Sequence, residues 1–159
     1  MRRPHGFKAW LQVVRCYQKG LRRLSERLAP LDVTSAQLDV LANLYAGPEQ
    51  GLTQEQLGQR LLVTKGNVSS LLDRLCQRGW VVRSPHPEDR RSNLVLLTDA
   101  GRLVAEQAVL VQSAFVADVM GDIDDQALLS LEITLARLEE RLEGTGLFTP
   151  VQEGRNGIH

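Results

Sequence analysis

A chain of 159 residues with 19 basic and 19 acidic side chains, and so no formal net charge, suits one domain with a sizeable core. Its 4% aromatic content fits a mostly helical protein. No apolar run approaches the length of a membrane span, and residues 7–14, interrupted by Lys8 and Gln12, are too short for a signal peptide. Two cysteines far apart, Cys16 and Cys76, indicate no disulfide framework and point to a reducing cytoplasm.

The spacing predicts a first helix from about His5 to Leu28. Phe7, Leu11, Val14, Leu21, Leu24 and Leu28 recur at helical steps along one stripe. The helix is long and precedes any other core element, so part of its apolar surface is expected to meet a second subunit. Pro30 limits its continuation. A second helix opens at Val33-Thr34-Ser35-Ala36-Gln37-Leu38. There Thr34 caps, Gln37 closes the box, and Val33 staples to Leu38. Leu38, Leu41 and Leu44 or Tyr45 face inward, and Gly47-Pro48 ends the helix.

Residues 52–101 form the centre of the chain. Thr53 and Thr64 open two short helices, followed three residues later by Gln56 and Asn67 and flanked by Leu52 with Leu57 and by Val63 with Val68. Helices joined by so few residues cross steeply, as in a helix-turn-helix. The second of them, about Lys65 to Arg78, sorts its residues. Val68, Leu71, Leu72 and Leu75 share an inward face, while Gly66, Asn67, Ser69, Ser70 and Arg74 lie opposite or on the flanks. Small, hydrogen-bonding groups are what a helix needs to meet base edges in a major groove. The free N–H groups at the helix start, with Thr64 and Lys65, suit a phosphate. Trp80–Ser84 and Asn93–Leu97 then read as two strands of a hairpin. The loop between them, stiffened by Pro85 and Pro87, carries His86, Asp89, Arg90 and Arg91, and an arginine on such a loop can enter a narrow minor groove. Thr98 caps a long helix to about Val119, with Leu103, Val104, Ala108, Val111, Phe115 and Val119 as its buried stripe. After Gly121, Ile123-Asp124 start a last helix, whose Leu128, Leu131, Leu135, Leu138 and Leu142 make a short coiled-coil-like seam. Residues 144–159, small and polar, read as a flexible tail.

The neutral total hides a segregation. Residues 1–27 carry eight Lys or Arg against one acid, residues 60–91 seven against three, and residues 103–143 two against nine. Such a chain can present a basic face to nucleic acid and an acidic one away from it.

The segment RLCQRGWVVRSPHPEDRRSNLVLLTDAG resembles the signature of the MarR family of bacterial winged-helix regulators. Its Leu-x-x-x-Gly helix end is Leu75 and Gly79, its wing core is Asp89-Arg90-Arg91, and its Leu-Thr-x-x-Gly entry is Leu97-Thr98 with Gly101. The parts recur in order, and the layout matches from about residue 5 to 143. The resemblance implies a mainly α fold with a small β-hairpin: a winged helix-turn-helix DNA-binding region at 31–102, embedded in a helical dimerisation region at 5–30 and 103–143. It further implies a homodimer on a pseudo-palindromic double-stranded DNA operator, acting as a repressor released by a small-molecule effector such as a phenolic or aromatic acid. The DNA-binding candidates are then Thr64, Lys65, Gly66, Asn67, Ser69, Ser70, Arg74, His86, Arg90 and Arg91.

Relatives also suggest where an effector would act. A ligand cleft between reading head and dimer helices would be reached by Arg15, Asp39 and Tyr45. Some relatives sense peroxides through a cysteine on the first helix, but alignment on residues 34–38 puts Trp10, not Cys16, at that position. Cys16 and Cys76 are therefore read as packing residues, with thiol-based sensing through Cys16 as the alternative. The three histidines share no metal-ligand spacing with the cysteines, so neither a metal nor a cofactor is expected. No nucleophile–base pair or Gly-rich phosphate loop appears, which argues against an enzyme. A winged helix serving as a protein-interaction module is the remaining alternative.

Overall fold

The computed structural model describes residues 4–61, 65–89 and 92–143. The predicted flexible tail, the loop arginines Arg90 and Arg91, and the predicted cap Thr64 lie outside the described residues. The elements run α1 (Phe7–Leu28), a 3-10 turn (Ala29–Leu31), α2 (Ser35–Tyr45), β1 (Leu52–Thr53), α3 (Gln54–Arg60), α4 (Lys65–Gln77), β2 (Val81–Pro85), β3 (Asn93–Leu97), α5 (Asp99–Met120) and α6 (Asp125–Glu143). The chain divides into two compact units, residues 1–118 and 119–159.

Local chemistry sets the element starts. Thr34 and Thr53 each accept from the N–H three residues on, while Gln37 and Gln56 return the bond to the threonine N–H, so both predicted capping boxes form. Thr98 Oγ1 accepts from Gly101 N at 3.0 Å at the head of α5, and Asp124 Oδ1 accepts from Ala127 N at the head of α6. Pro30 sits in the first turn of the 3-10 segment that ends α1.

The expected hairpin is one part of a three-stranded antiparallel sheet in the order β1-β3-β2. Leu52 pairs with Val95, and Val81 with Leu97. Gly51 makes room for the extra strand: it has φ +88°, and a Cβ there would lie 2.5 Å from the Val95 carbonyl oxygen. Two residues are too few to carry an alternating pattern, so β1 leaves no periodic signal.

The core of the first unit gathers Leu28 from the end of α1, Leu38, Val40, Leu41 and Leu44 from α2, Leu57 from α3, four residues of α4, Trp80, Val81 and Val95. Each fully buried aliphatic side chain contributes roughly 1.5–3 kcal/mol. The predicted inward face of α4 is confirmed: Val68, Leu71, Leu72 and Leu75 are all buried.

Three sequence expectations need correction. In α5 the buried positions are Gly101, Ala105 and Ala108, whereas Leu103 and Val119 are exposed. Gly101 faces inward where α5 runs close to the backbone at Trp80; Val104, Val109 and Val111 pack partly against the core, and Leu103, Leu110, Val116 and Val119 are exposed. Cys16 is exposed rather than packed, because Leu28 is the sole buried residue of α1 among those described. Finally, α5 is long and apolar enough to cross a membrane by length and composition, with a mean hydropathy of 1.4 over 18 residues. No uninterrupted run marks it, but Glu106 and Asp118 are the sole charges between Leu103 and Met120.

In the second unit, α6 has no buried residue among those described. Leu131, Leu135, Leu138 and Leu142 of its predicted seam are exposed.

Candidate nucleic-acid interface

Burial of the apolar face of α4 leaves Ser69, Ser70, Asp73 and Arg74 exposed on the rest of its surface. These groups offer hydroxyls, a carboxylate and a guanidinium, with no large apolar side chain among them. Thus three sequence candidates, Ser69, Ser70 and Arg74, share one solvent-facing surface of one helix. Lys65, Gly66 and Asn67 belong to the first turn of α4, but their side chains lie outside the described residues.

Asp73 adds an acid to this surface, and the fold compensates it. Arg83 on β2 reaches back to place Nη1 at 2.7 Å from Asp73 Oδ1. The pair is partly exposed, so it adds little stability. Its effect is local: it ties α4 to the hairpin and offsets a negative charge beside Arg74.

The hairpin loop is closed by its own hydrogen bonds. His86 N donates to the Ser92 carbonyl and Ser92 N donates to the Asp89 carbonyl, each at 3.1 Å. The His86 ring is half-buried and turned inward. Its Nδ1 accepts from the backbone N–H groups of Glu88 and Asp89, both at 3.2 Å. The ring nitrogen Nδ1 thus acts as the acceptor for both amides. His86, a DNA-contact candidate in the sequence, therefore also shapes the loop that would present Arg90 and Arg91. Beneath the loop lies an open cleft of about 460 Å³, bordered among others by Thr53, Glu55, Arg83, His86 and Asn93.

The effector candidates are more scattered. Arg15 is exposed on α1. Asp39 and Tyr45 are half-buried on α2; Asp39 accepts from the Asn43 side chain one turn on, and Tyr45 packs on the core. Cys16 Sγ accepts from Gln12 Nε2 at 3.8 Å on its own helix. Among the described residues, no group of three or more His, Cys, Asp or Glu could hold a metal ion.

Sequence reasoning missed one cluster, centred on Arg78 just past the end of α4. Arg78 Nη2 donates to Asp32 Oδ2 at 2.8 Å and Nη1 donates to the Asp32 carbonyl. The guanidinium also lies 3.7 Å from the centre of the Trp80 ring. The partners are 46 residues apart in sequence, which no local pattern could pair.

Known proteins resemble this chain in both sequence and fold. A family model described as the MarR family matches residues 31–92. The multiple antibiotic resistance protein MarR of Escherichia coli K12 is 42% identical over 90 residues, which span 57% of this chain and 61% of that protein. An uncharacterised HTH-type transcriptional regulator of Bacillus cereus is 30% identical over 142 residues, 87% of this chain and 93% of that one. A crystal structure of a cysteine-to-serine MarR variant from E. coli, complexed with operator DNA, superimposes with a TM-score of 0.74 at 32% identity, covering 83% of this chain and 94% of that one. Helix-turn-helix, hairpin and flanking long helices thus agree with relatives along nearly the whole described chain, and the protein belongs to the MarR family of transcriptional regulators.

Proposed function

We propose that the chain is a sequence-specific double-stranded-DNA-binding repressor, working as a homodimer on a pseudo-palindromic operator and released by a small-molecule effector. The observation that carries this reading is the sorting of α4. Its aliphatic residues are consumed by the core, and Ser69, Ser70 and Arg74 stand free on its outer side. With Thr64, Lys65, Gly66 and Asn67 at its start, α4 is the helix to place in a major groove. Arg90 and Arg91, carried by the loop that His86 braces, then reach the adjacent minor groove. The operator complex of the E. coli MarR variant supports DNA as the partner.

In this reading residues 31–102 read DNA, while 5–30 and 103–143 hold two copies together in the cytoplasm. The exposed Trp10, Val13, Tyr17 and Leu21 of α1, and Leu103, Leu110 and Val116 of α5, supply the apolar surface a second copy would cover. An effector, such as an aromatic acid reaching Arg15, Asp39 or Tyr45, would act by preferring a dimer whose two heads are wrongly spaced. The thiol-sensing alternative retains one support, the exposure of Cys16. Peroxide treatment that leaves operator affinity unchanged would remove it.

Selection from random duplex DNA tests the main reading. It should return an inverted repeat with half-sites about one turn, ~34 Å, apart. Ser70→Ala should then relax base preference by about 1–3 kcal/mol at one position. Recovery of no common sequence, or a salt-independent signal, would favour the protein-interaction module instead.

A further inference from the structure

The reading head joins the long helices at two places. Residues 29–34 lead from α1 into α2, and Thr98 leads from β3 into α5. Both joints are bound to one run of three residues between the recognition helix and the wing, the first to Arg78 and the second to Gly79 and Trp80. At the first joint, Arg78 holds Asp32 through both its carboxylate and its carbonyl. Asp32 itself is a non-glycine residue in the left-handed region, with φ 52°, a conformation that makes a sharp corner between α1 and α2. At the second joint, Thr98 Oγ1 donates to the Gly79 carbonyl at 2.6 Å, and Thr98 N donates to the Trp80 carbonyl at 3.0 Å. Gly101 lets α5 touch that same Trp80 carbonyl. Stacking of Arg78 on Trp80 joins the two halves of the knot.

We propose that Arg78 is a positioning residue: by clasping Asp32 against Trp80 it sets the angle of α4 relative to α1 and α5, and so the half-site spacing that the protein accepts. This rests on the proposed dimer. The clasp is suited to the task because it is stiff in direction but weak in energy. A planar guanidinium gripping two oxygens and lying on a ring has one orientation. The Asp32 side chain is 89% exposed, so the pair contributes little to folding and its loss leaves a folded protein. Sequence contacts on α4 are untouched, and the alteration falls on geometry.

The experiment uses the full chain and duplexes carrying two copies of the selected half-site at the natural spacing and at one and two base pairs more or less. Affinity is read by fluorescence anisotropy at fixed salt, and mass by sedimentation. Wild type should discriminate sharply among spacings. Arg78→Ala and Asp32→Asn (asparagine keeps the left-handed corner) should each flatten that discrimination by about fivefold or more. Affinity for an isolated half-site should hold steady, and the double variant should do no more than either single one. Arg78→Lys, which keeps the charge but loses the two-pronged grip, should fall between. If Arg78→Ala fails to fold, Asp32→Asn and Arg78→Lys carry the same comparison. Variants that keep the wild-type ratio among spacings, or lose affinity equally at all of them, overturn the assignment to Arg78. A monomeric wild type, or one indifferent to spacing, overturns the dimer reading and this proposal with it.

Discussion

Replacing Gly101 by alanine should destabilise the protein strongly, against the usual gain of alanine in a helix. Gly101 lies in the first turn of α5 and is buried. An added Cβ would sit 1.8 Å from the Trp80 carbonyl oxygen, 2.7 Å from its carbon and 3.0 Å from the Trp80 Cα. Ordinary contact begins at 3.4 Å, so α5 and Trp80 must separate by about 1.6 Å. The obstacle is backbone, which no rotamer change relieves. Overpacking of this kind costs about 1–3 kcal/mol. The separation also breaks the bonds from Thr98 to the Trp80 and Gly79 carbonyls, at about 1 kcal/mol each. Helix propensity returns about 1 kcal/mol. The net loss is about 3 kcal/mol, or a fall in Tm of about 10 °C for a chain of this size. Urea and thermal melts at one protomer concentration measure it. Arg102→Ala, one residue on and exposed, is the control, expected within about 0.5 kcal/mol of wild type. A Gly101→Ala loss under about 1 kcal/mol would refute the close approach of α5 to Trp80.

Further outcomes follow from the caps and side-chain contacts. Thr53→Ala should cost about 1 kcal/mol in urea melts, since it removes the acceptor for Gln56 N at the head of α3; an unchanged midpoint would show that the box is idle. His86→Ala should speed amide exchange at Glu88 and at Asp89 about fivefold, the equivalent of about 1 kcal/mol for the one bond that each amide loses. His86→Asn, whose side-chain oxygen can accept in the same way, should retain protection; equal exchange in both variants would deny the ring its role as acceptor. Arg27→Met removes the 2.7 Å pair with Asp118 and the stacking on Phe115, yet the pair is exposed and the cost should stay below about 1 kcal/mol. A drop above about 2 kcal/mol would mean that this contact, not the core, fixes α1 to α5.

What could be read from sequence was what repeats locally. Thr34 with Gln37 and Thr53 with Gln56 are three residues apart, and caps of that span obey local rules wherever they occur. Val68, Leu71, Leu72 and Leu75 are spaced by helical steps, so the buried face of α4, and by subtraction its outer face, was visible at once. The hairpin strands were placed within a residue of β2 and β3. Arg78 escaped because its meaning depends on Asp32, far away in sequence, and on Trp80 lying beneath it. The strand β1 escaped because its pairing partner, Val95, lies some forty residues on. Cys16 was misjudged because free cysteines are commonly buried, whereas its place on α1 is exposed. Periodicity shows that a helix has an apolar side but does not say what covers it.

That ambiguity is sharpest in α5. Its inner stripe is Gly101, Ala105 and Ala108, and its outer side carries Leu103, Leu110 and Val116. An ordinary surface helix keeps its outer side polar. A helix that packs Val104, Val109 and Val111 partly against its own core and still carries Leu103, Leu110 and Val116 outside has apolar surface that a second apolar environment would cover. Lipid is a poor candidate. Glu106 is exposed midway along the helix, near Gln107, Gln112 and Ser113, and a charged side chain at the centre of a bilayer costs about 2.5–3.5 kcal/mol. A protein surface accommodates such a mixture, burying Leu103, Leu110 and Val116 for roughly 1.5–3 kcal/mol each while Glu106 and the glutamines stay at the wet edge. The proposed second copy of the chain would offer the same outward stripe, and it would also bring the exposed aromatics of α1, Trp10 and Tyr17. The proposed assembly would thus account for the apolar composition that makes α5 look like a membrane helix, while the close approach to Trp80, through which the reading head is attached, accounts for Gly101.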